Sequence, residues 1–408
     1  MDNRYDVVIT GARVAGASLA VLLGKLGKKV LLIDKAPFPS DTLSTHYMSH
    51  TGYLEELGIL DKLLAGGLRK VDRMRTHIGS SYIDGPRSAY TVIPKRDRLD
   101  MLLIERTFLY EGVTFLSETA VREVLWDQDR MVGVRIKGKG REKEVYGDLI
   151  VGADGKHSTI ARQAGAEVYH DTPPLRPVLY GYFEGIPPLE TPTTEIFLHE
   201  GRIGFLFPME QGRDCIGLEV HPDEFKTMMK DSPEAFVRMY KQLYGMEKRL
   251  ENARLQGSII GTSGVPNFFR KPYGNGWALI GDAGHSKDPS TGLGINDAFM
   301  QAFLLADACM RIDAGDDREV VMEAFQKKRD EHLFPGFQLT LDYIHSLKRF
   351  SKNELALFQA MAANPMVWNK VAPKLGDYLR EGTRDFPLLY QSVEMEAEAF
   401  GYDKDSSP

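Results

Sequence analysis

The opening stretch of the chain, as far as Asp34, constrains the fold more than any other. Tyr5 to Thr10 (YDVVIT) is a short apolar run rich in β-branched residues, the pattern of a parallel strand buried on both faces. A glycine-rich turn from Gly11 to Gly16 follows. Next come a small-residue helix from about Ala15 to Leu26, Gly27 as its stop, the apolar run Lys29 to Ile33 (KVLLI), and Asp34. Strand, glycine turn, helix, strand and acid in this order predict a βαβ unit that takes a dinucleotide. The first glycine permits a tight turn, and the helix N-terminus then offers N–H groups and positive potential to a pyrophosphate. Asp34 stands where the pattern wants its ribose-binding acid, roughly 20 residues on. The chain departs from Gly-x-Gly-x-x-Gly at one place, reading Gly11-Ala12-Arg13-Val14-Ala15-Gly16. Two readings of Arg13 stay open. Either its guanidinium helps neutralise the phosphates, or the altered turn is purely structural.

Composition narrows the class. With 408 residues the chain is long enough for roughly two to three domains. Hydrophobic residues at 43% and charged residues at 26% exclude wholesale disorder. A net charge of −6, with basic residues scattered, gives no electrostatic footprint for nucleic acid. Two cysteines, Cys215 and Cys309, supply neither a disulfide framework nor a zinc site, and no metal is expected. The longest apolar stretch, Ala15 to Leu23, falls short of the ~20 residues of a membrane span, and the polar N-terminus does not read as a signal peptide. The expectation is a cytoplasmic protein, monomer or homodimer.

Along the chain, Ser44 to Leu64 reads as a loop and an amphipathic helix ending near Gly58. Val71 to Gly79 and Ser88 to Ile93 read as strands, and Arg96 to Tyr110 as a helix. Val113 to Leu116, Ala120 to Asp127, Met131 to Lys137 and Glu144 to Tyr146 read as a small meander. Asp148 to Val151 is a further buried strand. Beyond about residue 170 prolines become dense, and alternating runs at Pro177 to Glu184, Thr194 to His199, Ile203 to Pro208 and Asp214 to Val220 predict a second, mostly antiparallel sheet. Ala253 to Thr262 is another strand. Trp277 to Ile280 returns to the buried parallel type, a long helix is expected from Asn296 to Arg311 with Asn296 as its N-cap, and the remainder is helical.

Two further motifs join the first: Asp148-Leu-Ile-Val-Gly-Ala-Asp154-Gly155-Lys-His-Ser158, and Trp277-Ala-Leu-Ile-Gly281-Asp282-Ala-Gly-His285-Ser-Lys-Asp-Pro289-Ser-Thr-Gly292-Leu293-Gly294-Ile295-Asn296-Asp-Ala. On these residues the chain resembles the FAD-dependent aromatic hydroxylase superfamily, the single-component flavoprotein monooxygenases typified by p-hydroxybenzoate hydroxylase. The same superfamily includes geranylgeranyl reductases and flavin halogenases. The resemblance covers roughly residues 4–165 and 255–310. It implies an α/β fold: a glutathione-reductase-type FAD-binding domain with a parallel sheet (1–70, 96–170 and 255–330), an inserted, mostly antiparallel substrate-binding sheet (71–95 and 171–254), and a C-terminal helical region (331–408).

The resemblance also assigns residues. Gly11, Val14, Ala15 and Asp34 would hold the ADP half of FAD, with Ala12, Arg13, Gly16 and Lys35 as further cofactor-binding candidates beside them. Arg96 would reach the pyrophosphate, Val121 the adenine, and Asp282 the ribityl chain. Asp154 and Gly155 would contact FAD and the reducing nucleotide, NADH or NADPH. The loop carrying Pro289, Gly292, Leu293, Gly294, Ile295 and Asn296 would aim a helix N-terminus at the reduced flavin. Relatives often carry an arginine near Gly52-Tyr53-Leu54. This chain has His50 and, upstream, His46, so His46 and Arg13 become candidates for the missing contact. His285 is the one candidate acid/base, tunable near neutral pH. Tyr180 and Tyr182 share a strand face, and with Phe205 and Phe207 they are candidates to line the substrate cavity. Core packing accounts for all four equally well.

Ile203-Gly-Phe205-Leu-Phe207-Pro208 lacks both tryptophans of the halogenase string Trp-x-Trp-x-Ile-Pro, which disfavours halogenation. The activity the resemblance implies is NAD(P)H- and O₂-dependent hydroxylation of an aromatic or polyketide-like small molecule through a flavin C4a-hydroperoxide. The alternatives are a FAD-dependent reductase of carbon–carbon double bonds and a non-catalytic FAD-fold carrier.

Overall fold

The computed structural model describes residues 3–363 apart from 231–232. Its first sheet runs in the order Tyr273–Gly274, Trp277–Leu279, Glu142–Gly152, Arg4–Thr10, Val30–Ile33, Val113–Leu116. All neighbours in this path are parallel except the short first pair. The central strands read as unbroken apolar runs because both faces are covered. On one face lie the helices Val14–Lys25, Arg96–Thr107 and Gly294–Asp313, sharing a core with Ile9, Leu19, Leu23, Leu103 and Phe299. On the other, Ala120–Asp127 and Arg130–Lys137 cover Val8, Leu31 and Ile150. The register sets Thr10 level with Ile33 and Gly152, and Gly152 level with Leu279. Four strands therefore end together, and a crevice opens beyond their carboxyl ends, where open α/β sheets bind ligands.

Two expectations change here. Val113–Leu116 is no part of the meander but the parallel edge partner of Val30–Ile33. Glu142–Gly152 is one continuous strand, its first half antiparallel to Arg130–Lys137 and its second half parallel to Arg4–Thr10. Gly147 interrupts its apolar pattern because a Cβ there would press on Val8 at 3.0 Å.

The second sheet has seven strands in the order Arg254–Thr262, Val178–Glu184, Arg213–Glu219, Arg202–Pro208, Thr193–His199, Val71–Ile78, Ser81–Thr91. Arg254–Thr262 pairs with Val178–Glu184, so a boundary at residue 255 cuts a strand whose hydrogen bonds lie in this sheet. Alternation splits the strands between two cores. Leu179, Phe183, Ile216 and Leu218 pack under Phe236 and Tyr240, and Tyr180, Tyr182, Phe205, Phe207 and Cys215 pack on the other face with Tyr47 and Ile93. A small third sheet, Val168–Thr172, Asn267–Arg270 and His285–Ser286, is backed by the long helix Arg318–Ser346 through Leu333, Phe337 and Leu341. The helix Lys352–Ala363 follows. The rest of the C-terminal helical region expected over 331–408, from residue 364 onward, lies outside the described residues.

Candidate active site

The crevice encloses about 520 Å³, within the range that buries a drug-sized ligand. Its floor is the glycine turn. Gly11 has φ +98°, and a Cβ there would stand 2.2 Å from the Ala153 carbonyl oxygen. Gly16 does not reach the cleft; a Cβ on it would lie 1.8 Å from Gly11 O, so its absent side chain is what seats the helix under the turn. Asp34 closes the motif. Its carboxylate accepts the N–H groups of Ala12 (2.7 Å) and Ala36 (2.8 Å), fixing the turn from below while the residue lines the cleft.

Arg13 ties the glycine turn to a neighbouring loop. It begins the helix in extended conformation (φ −86°) without a side-chain cap. Its guanidinium donates to Asp100 Oδ2 (2.8 Å), Ser40 O (3.1 Å), Ser40 Oγ (3.2 Å) and Asp41 O (3.2 Å). Asp100 is fully buried and also receives Arg96 at 3.1–3.2 Å. Arg13 is thus the anchor of the loop whose residues Thr42 to Thr45 wall the cleft. Arg13 also lines the cleft itself, so anchoring the loop and lending positive charge to a phosphate are compatible roles. Two arginines against one carboxylate leave a net positive charge beside the turn.

The third motif meets the first across the cleft. The helix Gly294–Asp313 starts after Leu293 with no side-chain cap. Asn296 is not the N-cap but lies inside the first turn. Its amide accepts from Ser49 Oγ (2.8 Å) and the N–H groups of Ser49 and His50 (3.2 Å each), which holds the segment before the helix Gly52–Glu56. Gly292, Gly294, Ile295 and Pro289 line the cleft, whereas Leu293 and Asn296 do not. Gly292 needs its glycine (φ +67°, with Tyr47 where a Cβ would go), while a Cβ on Gly294 or Gly155 would meet nothing within 4 Å. Asp282 is exposed into the cleft from deep in the molecule, and burial raises its carboxyl above the ordinary range. Asp154 accepts Thr159 N–H (2.7 Å) through Oδ2 and keeps Oδ1 buried without a partner.

These features fit FAD. Two uncapped helix starts converge on one cleft and carry the positive ends of their dipoles to it, two glycines open onto free space there, and a buried carboxylate oxygen awaits a donor. Lys35, Arg96 and Val121 line the same space. So do Lys156 and Lys287, which the motifs did not single out; Lys156 directly follows the Asp154-Gly155 pair.

Other predicted residues lie elsewhere. His46 is fully buried at φ +61°, with Nε2 2.9 Å from Tyr182 Oη. Burial drops its imidazole to about 4, with Arg96 acting in the same sense against Asp41. It stands behind the wall rather than on the cofactor. His285 also lies outside the cleft lining: Nδ1 faces Phe268 O at 3.2 Å, the ring packs 4.3 Å from Phe269, and burial, then Lys287 and Arg329, hold it neutral. A buried neutral imidazole behind the wall does not touch reactants, which corrects its assignment as the acid/base. Of the four aromatic candidates only Tyr180 lines the cleft. Tyr182 donates to Asp41 (2.8 Å). The tip of the Phe205 ring occupies the space above Gly217, where a Cβ would fall 2.1 Å from it, and the ring stacks on Phe207 at 4.9 Å, with Tyr47 5.4 Å from Phe207. Phe205 and Phe207 are therefore wall packing, not contacts to a ligand.

Fold and cleft together define a flavoprotein that binds FAD between a parallel sheet and an antiparallel one. The chain belongs to the FAD binding domain family, whose profile matches residues 4–333, within the superfamily of flavoprotein monooxygenases, halogenases and geranylgeranyl reductases. It is 24% identical over 341 residues (79% of this chain, 81% of the relative) to a 1H-pyrrole-2-carbonyl-[peptidyl-carrier protein] brominase of Pseudoalteromonas luteoviolacea. It is 27% identical over 346 residues (81% of each) to digeranylgeranylglycerophospholipid reductase 2 of Methanothermobacter thermautotrophicus. Its fold matches that of p-nitrophenol 4-monooxygenase from Pseudomonas putida with a TM-score of 0.76 at 16% identity, covering 93% of this chain and 99% of that one. No helix among the described residues is long and apolar enough to cross a membrane.

Proposed function

We propose that this flavoprotein is a monooxygenase that uses NAD(P)H and O₂ to hydroxylate a small aromatic or polyketide-like molecule. One observation carries the reading: the open helix start at Gly294 faces the same cleft that Val178 and Tyr180 wall from the antiparallel sheet. A redox cofactor and a planar substrate then meet between the two sheets. When bound, FAD supplies the two-electron chemistry, taking electrons from NAD(P)H and passing them to oxygen. The chain's own residues do the rest. Asp34, Asp154 and Asp282 would hold the cofactor's polar groups, and the start of the helix Gly294–Asp313 would steady negative charge on it. The packed wall of Tyr47, Phe205 and Phe207 keeps water from the substrate side.

Halogenation is disfavoured because Ile203 and Phe205 stand where the halogenase string has tryptophans, and Phe205 is committed to Gly217. Similarity to the geranylgeranyl-type reductase supports a second reading, reduction of carbon–carbon double bonds. Purified protein with bound FAD is tested for NADH and NADPH oxidation against a panel of phenols and quinones. Oxygen uptake matched by oxygenated product is the expected result. Turnover that proceeds equally well without oxygen refutes hydroxylation in favour of reduction.

A further inference from the structure

Two buried carboxyls, one lining the cleft and one beside its wall, play no part in the contacts above. Glu219 ends the strand Arg213–Glu219 directly across from Val178, so it shares the face of that cleft-lining residue. Asp288 comes from the loop after His285–Ser286 and itself lines the cleft. Each residue is only 1% exposed. Asp288 Oδ1 accepts Ser290 N–H (3.0 Å), and Asn267 Oδ1 accepts the N–H of Asp288 (2.7 Å). Asp288 Oδ2 and Glu219 Oε2 have no hydrogen-bond partner. The cation whose charge acts on both is Arg176, itself buried. Its terminal nitrogen donates to Gly201 O and its Nε is likewise unpartnered.

The charge count decides what this cluster does. Arg202 and Glu224 stand behind Arg176 and pair with each other. Lys287 is taken by Asp297. The Tyr343 phenol of the helix Arg318–Ser346 faces Glu219 and stays neutral, its ionisation opposed by burial. One guanidinium therefore acts through space on two carboxyls in a dry setting, pairing with neither. With both ionised the site carries excess negative charge; with one proton retained it is neutral, and like charges so placed cannot both ionise cheaply. Burial raises both groups, Asp288 to about 6 and Glu219 well above the carboxylate range.

We propose that Glu219 and Asp288 form a one-proton acid at the substrate wall, and that it hydrogen-bonds a phenolate, enolate or carbonyl oxygen of the ligand. This deepens the function proposed above by naming the ligand class. A prenyl hydrocarbon has no such oxygen at its double bond. If the proton transfers fully, the carboxyl becomes a carboxylate and the ligand oxygen a hydroxyl, with no electrons exchanged.

The test uses FAD-loaded protein and 4-nitrophenol as probe, with binding followed by equilibrium dialysis from acid to alkaline pH and corrected for the probe's own ionisation. Affinity for the phenolate should fall up to about tenfold per pH unit once the pair loses its proton, the limit for one linked proton. Asp288→Asn and Glu219→Gln, which keep shape and remove charge, should flatten that dependence. In parallel, the infrared carbonyl band of a protonated carboxylic acid should be present in the wild type at neutral pH and reduced in Glu219→Gln. The flavin spectrum reports whether each variant folds. If a variant fails to fold, the wild-type pH profile still decides. A profile that is flat in the wild type or unchanged in the variants overturns the proposal, as does an unaltered band or no binding of the probe. Protein that binds the probe as expected but oxidises no NAD(P)H overturns the monooxygenase reading and leaves the acid pair standing.

Discussion

Replacing Arg13 by glycine restores the motif's usual residue and should nevertheless weaken the protein. Glycine tolerates the extended backbone at this position and is a fair N-cap, so the turn itself loses at most a few tenths of a kcal/mol. The loss lies in the side chain. Its bond to the buried Asp100 (2.8 Å) is charge-assisted, a type that contributes about 1.5–3 kcal/mol. Asp100 is not orphaned, because Arg96 still grips it, so the full penalty of an unpaired buried charge is not incurred. The three longer bonds to Ser40 and Asp41 add on the order of 1 kcal/mol together, discounted because a quarter of the Arg13 side chain is exposed. A total of about 2–4 kcal/mol follows. Because Thr42 to Thr45 wall the cleft, undocking their loop makes FAD reorder it on binding. About 1.4–2.8 kcal/mol of that cost corresponds to tenfold to hundredfold weaker binding. Thermal unfolding of the apoprotein and fluorescence titration with FAD measure the two effects. Arg13→Lys, which keeps a point charge but loses the fork, should fall between. If Arg13→Gly binds FAD as tightly as the wild type and melts at the same temperature, the anchoring argument is wrong.

Gly294→Ala should separate stability from function: its Cβ meets no protein atom within 4 Å, so the fold gains or keeps about 0.5–1 kcal/mol while FAD affinity, read by dialysis, drops at least about tenfold. Equal affinity would mean that the cofactor does not approach this helix start. Phe205→Ala should cost about 3–5 kcal/mol, seen in chemical unfolding, because the ring is 4% exposed and fills the space above Gly217. Asp288 has a raised folded-state pKa, about 6 against 3.8, so its protonated form favours folding. That contribution, on the order of 2–3 kcal/mol, is complete below about pH 4 and lost as pH rises through 6. The melting-temperature difference between wild type and Asp288→Asn should therefore shift against the wild type over that interval, and a constant difference would count against the shift.

The parts of this molecule that local pattern dictates were readable in advance, and the parts decided by distant contacts were not. Tyr5 to Thr10, the glycine turn and Asp34 occupy their expected places because a buried parallel strand and a tight turn leave few alternatives. The helix start at Gly294 was missed by two residues: Asn296 has the chemistry of a cap, but Ser49 and His50 compete for its amide and win. Alternation placed Tyr180 and Tyr182 on one face, yet only the fold shows that Tyr180 reaches the cleft while Tyr182 turns to Asp41 and His46.

The loop from Ser40 to His46 has no periodicity to read, so its position depends on partners far away in the chain. The one local sign of it was the arginine in place of a glycine. A residue that breaks a motif loses what the motif's residue did, here a bare backbone beside the phosphates, and persists when it makes something else possible. In this chain that is a connection running from the turn through Arg13 to Asp41, and from Asp41 through Tyr182 into the antiparallel sheet. The glycine turn and the antiparallel sheet are joined by hydrogen bonds at the position where the sequence departs from its pattern.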